Sequence, residues 1–187
     1  MNLFADAGAE LVRVVGSLPS THWDNPTPAG LTVREVVDHV VAGNRFAVRL
    51  LAGASAADAV AGLDADQLGD DAIAAVSTSC EDQRSAFAAA DQRLPLHHPS
   101  GDISYDTFVR FRLGDVLIHS WDIAVGGRLD PTLDPALVDA LWAIVEPHLD
   151  EMRAMGVFGT GASNTLPPGA SRQTRLLGAF GRRVDRG

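Results

Sequence analysis

Lysine is missing from this chain: its 15 basic side chains are all arginine, set against 24 Asp plus Glu, for a formal charge of -9. Without lysine there is no Schiff-base chemistry and no phosphate-loop lysine, and the acid excess speaks against nucleic acid or an anionic membrane as partner. Cysteine is nearly missing too. The lone Cys80 excludes an internal disulfide and a multi-cysteine zinc site, which suits a reducing compartment. Its sequence neighbourhood holds no His or Arg to activate it, so it reads as a small buried hydrophobe. No apolar run approaches the roughly 20 residues that span a bilayer. The opening Met1-Asn2-Leu3-Phe4-Ala5-Asp6 lacks the basic and apolar stretches of a signal peptide. The expectation is one domain over residues 1–187, cytoplasmic, monomeric or homodimeric, with neither nucleic acid nor membrane as partner.

What is present is helical periodicity broken by Gly/Pro loops. Leu3, Phe4, Ala7, Leu11, Val14, Val15 and Leu18 mark a first helix. Pro19, Pro26 and Pro28 make the next stretch an extended loop, in which Trp23 is expected to plug a core edge. Thr32 followed by Glu35 is a capping box, and Val33, Val36, Val37, Val40 and Val41 continue the helix to about Ala52. Gly43 in that helix costs roughly 1 kcal/mol of propensity relative to Ala, so something needs its space. A short helix is expected around Ser55 to Ala61. Another runs from Asp70 to Ala90, with Ile73, Val76, Cys80 and Phe87 turned inward. Leu94 to Asp102 reads as a loop or one short extended piece. Ser104 caps a helix from Tyr105 to about Val125, and Asp134-Pro135 starts one that Pro147 should bend. His148, past that bend, reads as a surface or packing residue. Gly- and Pro-rich residues from Val157 to Gly169 form an irregular crossing, and a last helix from Ser171 to Phe180 docks Leu176, Leu177 and Phe180. The final arginines should fray.

The chemistry gathers in Arg112-Leu113-Gly114-Asp115-Val116-Leu117-Ile118-His119-Ser120-Trp121-Asp122. On a helix Asp115 and His119 stand one turn apart on one face. With His39 from the earlier helix they supply the three protein ligands of an open divalent-metal site, provided the two helices face each other. A buried Asp–His hydrogen bond without an ion accounts for the same spacing. Asp122 either orients His39 or His119 as an acceptor or caps local backbone. Arg112 pairs with Asp115, binds a substrate carboxylate, or forms a surface ion pair. Trp121 reads as core packing. His97 and His98 point in different directions and read as loop residues.

The blocks Thr32-Val33-Arg34-Glu35-Val36-Val37-Asp38-His39-Val40, Asp115-x-x-x-His119-Ser120-Trp121-Asp122-Ile123-Ala124 and Gly156-Val157-Phe158-Gly159 resemble a family of actinobacterial proteins. These are similar to the N-terminal domain of mycothiol-dependent maleylpyruvate isomerase, within the DinB/YfiT-like metal-binding bundles. The resemblance implies an all-α fold, a DinB-like four-helix core with additional C-terminal helices. It also implies a divalent metal, zinc first with nickel or iron as alternatives, on His39, Asp115 and His119. The implied chemistry is mycothiol S-transfer or a thiol-assisted isomerisation of a small electrophile. Asp115 stands where the isomerase carries Glu, and the chain is too short for the isomerase's C-terminal domain, so isomerisation of maleylpyruvate itself is not expected. The other reading is a non-catalytic, metal-stabilised binding or sensor protein, which predicts a fourth ligand such as His97 or His98.

Overall fold

The computed structural model describes residues 2–155 and 169–183. Its helices are α1 (Leu3–Gly16), α2 (Val33–Leu51), α3 (Ala56–Val60), α4 (Ala72–Ala89), α5 (Tyr105–Gly126), α6 (Pro135–Val145), α7 (Leu149–Met155) and α8 (Arg172–Ala179). The only sheet among the described residues is a hairpin of β1 (Leu96–His98) and β2 (Gly101–Ile103). The architecture is therefore all-α. The expected crossing from Val157 lies outside the described residues up to Gly169, as does the Gly156 to Gly159 block.

Local chemistry sets the helix starts. Thr32 and Glu35 close the expected capping box at α2, Thr32 Oγ1 accepting from the Glu35 amide at 3.3 Å while Glu35 accepts from the Thr32 amide at 2.7 Å. Ser104 caps α5, Asp134 caps α6 with Pro135 behind it, and Ser171 caps α8. Pro147, expected to bend this helix, interrupts it: a short 3-10 turn, Glu146–His148, separates α6 from α7.

The long helices pack in the cyclic order α1, α4, α2, α5, so α1 lies diagonally opposite α2. Their shared core includes Leu11, Val14, Val36, Val37, Val40, Val41, Val76 and Leu117, with Leu176, Leu177 and Phe180 of the last helix closing one side. No helix among the described residues is long and apolar enough to cross a membrane. The loop before α2 clasps the end of α5: Asn25 Nδ2 donates to the Gly126 carbonyl at 2.9 Å and His22 Nδ1 to that of Gly127 at 2.8 Å, satisfying carbonyls a helix end leaves unpaired. Trp23 packs at the core edge as expected, with the Arg34 guanidinium 5.4 Å from its ring centre.

Three expectations are corrected. Ile73 is not inward but 46% exposed, in the first turn of α4, and the buried face of that helix begins with Val76. Leu94 to Asp102 folds as two strands, not one piece, since Gly101 takes φ +111° and lets His98 pair with Gly101 across the turn. Arg182, expected to fray, is held against α5. His148 lies at the surface, as expected, and pairs with Glu151 one turn on at 3.1 Å.

Candidate metal centre

Helices α2 and α5 run antiparallel, so that His39 meets Asp115 and His119 at one level while Asn44 meets Arg112 nearer the other end. His39 Nε2 lies 3.3 Å and His119 Nε2 3.4 Å from the same oxygen, Asp115 Oδ1. The two imidazoles stand edge to face, with ring centres 5.0 Å apart. One donor atom from each residue lies within 4.8 Å of the others. Bond lengths of about 2.0–2.1 Å to a tetrahedral ion place donors about 3.3 Å apart, so the nitrogen-to-oxygen separations fit a divalent cation. The His39 side chain is 52% exposed and that of His119 only 12%, so the centre is reached from solvent past His39.

Asp115 and His119 each have a supporting partner outside the trio. Asp115 Oδ2 accepts from Arg112 Nη1 at 2.8 Å, leaving Oδ1 for the two histidines. His119 Nδ1 donates to Asp122 Oδ2 at 2.9 Å, which turns its Nε2 toward the centre. Asp122 is fully buried and is gripped by Arg182: Nε donates to Oδ1 at 2.9 Å and Nη2 to Oδ2 at 2.7 Å. Asp122 thus serves His119, and no hydrogen bond joins it to His39.

Arg112 is not a surface residue. It is buried, and its Nε and Nη2 donate to Gln83 Oε1 at 2.9 Å and Asn44 Oδ1 at 2.8 Å; with Asp115 on Nη1, its fork is spent on protein groups rather than on a substrate carboxylate. Gly43 makes this possible: a Cβ there would lie 2.9 Å from the Arg112 Cζ. The space that the glycine was expected to provide is for the guanidinium.

Electrostatics follow from the same contacts. Burial alone would push the Asp115 carboxyl up, but the Arg112 guanidinium and the two histidines outweigh it and hold it well below the usual carboxylate range. Burial likewise disfavours the His119 imidazolium, yet its hydrogen bonds to Asp115 and Asp122 raise it to about 9.

His97 and His98 stand apart from this cluster. His97 pairs with Asp102 at 2.9 Å, and His98 Nδ1 contacts Ser100 while its ring packs edge-on against Phe46. Trp121 is core, as expected. The site contacts that the sequence reading missed are those of Asn44 and Gln83 with Arg112, and that of Arg182 with Asp122. For Arg182 a signal was present: Gly181 follows the apolar Leu176, Leu177 and Phe180, the pattern of a glycine that turns the chain back at a helix end.

Residues 4–124 match the family described as Mycothiol maleylpyruvate isomerase N-terminal domain. Two uncharacterised proteins, from two strains of Mycobacterium tuberculosis, are each 30% identical over 118 residues, 60% of this chain and 58% of their own length. The similarity to these curated relatives thus spans little more than half of them. No solved structure matches the chain. The matched residues run from α1 through His39, Asp115, His119 and Asp122, and the chain belongs to the mycothiol maleylpyruvate isomerase N-terminal domain family.

Proposed function

We propose that His39, Asp115 and His119 bind one divalent cation, zinc first with nickel or iron as alternatives. On this reading the protein is a metal-dependent thiol S-transferase or isomerase-like enzyme of the cytoplasm, using mycothiol and acting on a small electrophile. The observation that carries it is the convergence of two imidazoles on a single carboxylate oxygen from helices 76 positions apart in sequence, with one imidazole half open to solvent. Such an ion, when bound with an open position, supplies Lewis acidity that lowers the pKa of a thiol or water.

The chain's own residues take the supporting roles. Arg112 holds Asp115 so that one oxygen faces the histidines. Asp122 fixes the tautomer and ring plane of His119. His39 stands on the solvent side, where a substrate enters. Cys80 is no alternative nucleophile, because burial pushes its thiol up to about 11 and only 7% of it is exposed. The reactive thiol is therefore brought by the cosubstrate.

The non-catalytic reading requires a closed site. Among the described residues the metal-capable group has three members, and His97 and His98 are engaged elsewhere, which favours an open position. The test has two parts. Competition against a chromogenic chelator should show one zinc per chain, with affinity lost by at least about 100-fold in His119→Ala. Zinc-loaded protein given mycothiol and a panel of small electrophiles should consume thiol faster than His119→Ala; equal rates would remove the catalytic reading, and absence of zinc binding would remove the metal.

A further inference from the structure

We infer that Arg182, in the turn after α8, is a positioning residue of the metal centre: it acts through Asp122 on His119 and makes docking of the C-terminal helix a condition of full metal affinity. The inference rests on the metal reading above.

The position of Arg182 is built in three steps. The apolar residues Leu176, Leu177 and Phe180 are buried against the bundle. Phe180 comes so close to α5 that its ring fills the place a side chain at Gly114, the neighbour of Asp115, would take. The helix then ends in a Schellman turn: the Gly181 amide donates to the Gly178 carbonyl at 3.1 Å and the Arg182 amide to that of Leu177 at 2.9 Å, with Gly181 at φ +77°. A side chain at Gly181 would strain that turn, so the glycine sets where residue 182 emerges.

From there the guanidinium spans both oxygens of Asp122, and its Nη1 donates to the Phe180 carbonyl at 3.1 Å. A forked donor on both carboxylate oxygens fixes the plane of the carboxylate as well as its place. That plane matters because Asp122 Oδ2 is also the acceptor for His119 Nδ1, so the imidazole's aim at the centre is inherited from the arginine. Asp122 has no exposure to water, so no solvent molecule replaces the guanidinium without rearrangement. Because coupling is reciprocal, a cation bound at the centre favours the docked α8 as much as docked α8 favours the cation.

The experiment measures zinc affinity by chelator competition, and the visible absorption of the cobalt(II)-substituted protein, in the full chain and its variants. Arg182→Ala should weaken zinc about 10- to 100-fold and alter the cobalt spectrum, the range found when an outer partner of a metal-bound histidine is removed. Arg182→Lys, which keeps the charge but not the fork, should recover only part of the loss; it carries the test if the alanine variant does not fold. In an Asp122→Asn background, Arg182→Ala should have little further effect, since the arginine acts through that carboxylate. Arg175→Ala, an exposed position on the same helix, should leave both readouts unchanged. Zinc affinity and cobalt spectrum equal to wild type in Arg182→Ala, even with a lowered melting temperature, would overturn the inference and leave the metal reading standing. Failure of the wild-type chain to bind zinc would overturn both.

Discussion

Replacing Gly43 by alanine tests the buried polar network behind the site, because two effects of opposite sign compete there. At an open helical position alanine is more stable than glycine by about 1 kcal/mol. At Gly43 the new carbon would stand 2.9 Å from the Arg112 Cζ, nearly 1 Å inside ordinary contact. The guanidinium is not free to retreat, since Gln83, Asp115 and Asn44 hold it at 2.9, 2.8 and 2.8 Å. Each hydrogen bond to a charged group contributes about 1.5–3 kcal/mol, and Asn44 and Gln83, at 0% and 2% exposure, have no water to turn to. Losing the better part of one or two such bonds, less the gain in propensity, leaves a net destabilisation of about 2 kcal/mol. For a chain of this size that lowers Tm by roughly 4–8 °C. The control is Gly16→Ala at the end of α1, where a Cβ meets nothing within 4 Å and stability should hold or rise. Urea and thermal melts of both variants decide the matter. A Gly43→Ala protein that melts at or above wild type would refute the account of Arg112 as a fixed buried group.

Two further predictions concern titration and reactivity. In metal-free protein His119 sits at about 9, above its ordinary 6.5, so the stability it contributes is complete below about pH 6.5 and is lost as pH rises through 9. Asp115 is depressed, so its contribution is present above about pH 4 and is lost as pH falls toward its lower folded value. Tm of chelator-treated protein should therefore decline between about pH 6.5 and 9.5, and a flat or rising profile there would contradict the hydrogen bonds to Asp115 and Asp122. Cys80, with its thiol pushed up to about 11 by burial, should resist Ellman's reagent at pH 8 in the native protein and react once per chain in urea. Prompt reaction of the folded chain would show that the seam between α1 and α4 opens.

The helix caps and shared helix faces, which are decided within about one turn, were legible in the sequence. The capping box at Thr32 and Glu35, the caps at Ser104, Asp134 and Ser171, and the shared face of Asp115 and His119 depend on residues three or four apart, whose geometry a helix dictates. His39 was already a candidate partner of that pair from its own helix, and the resemblance favoured the metal reading over an ion-free hydrogen bond. Partners across the bundle were another matter. An arginine one turn from a carboxylate is usually a solvated surface pair, and nothing local shows that Arg112 lies buried between α2, α4 and α5 beneath a glycine that admits it. Ile73 fits an inward stripe by spacing, yet only packing decides which residues of that stripe are covered, and the buried face begins at Val76. Arg182 sits among arginines at the end of the chain, where fraying is the ordinary expectation, and it is the docking of Leu176, Leu177 and Phe180 that carries it to Asp122. Spacing along the backbone determined which groups lie on one face; which groups meet across faces was decided by the tertiary structure, because burial leaves a charged group no partner except the one the packing brings.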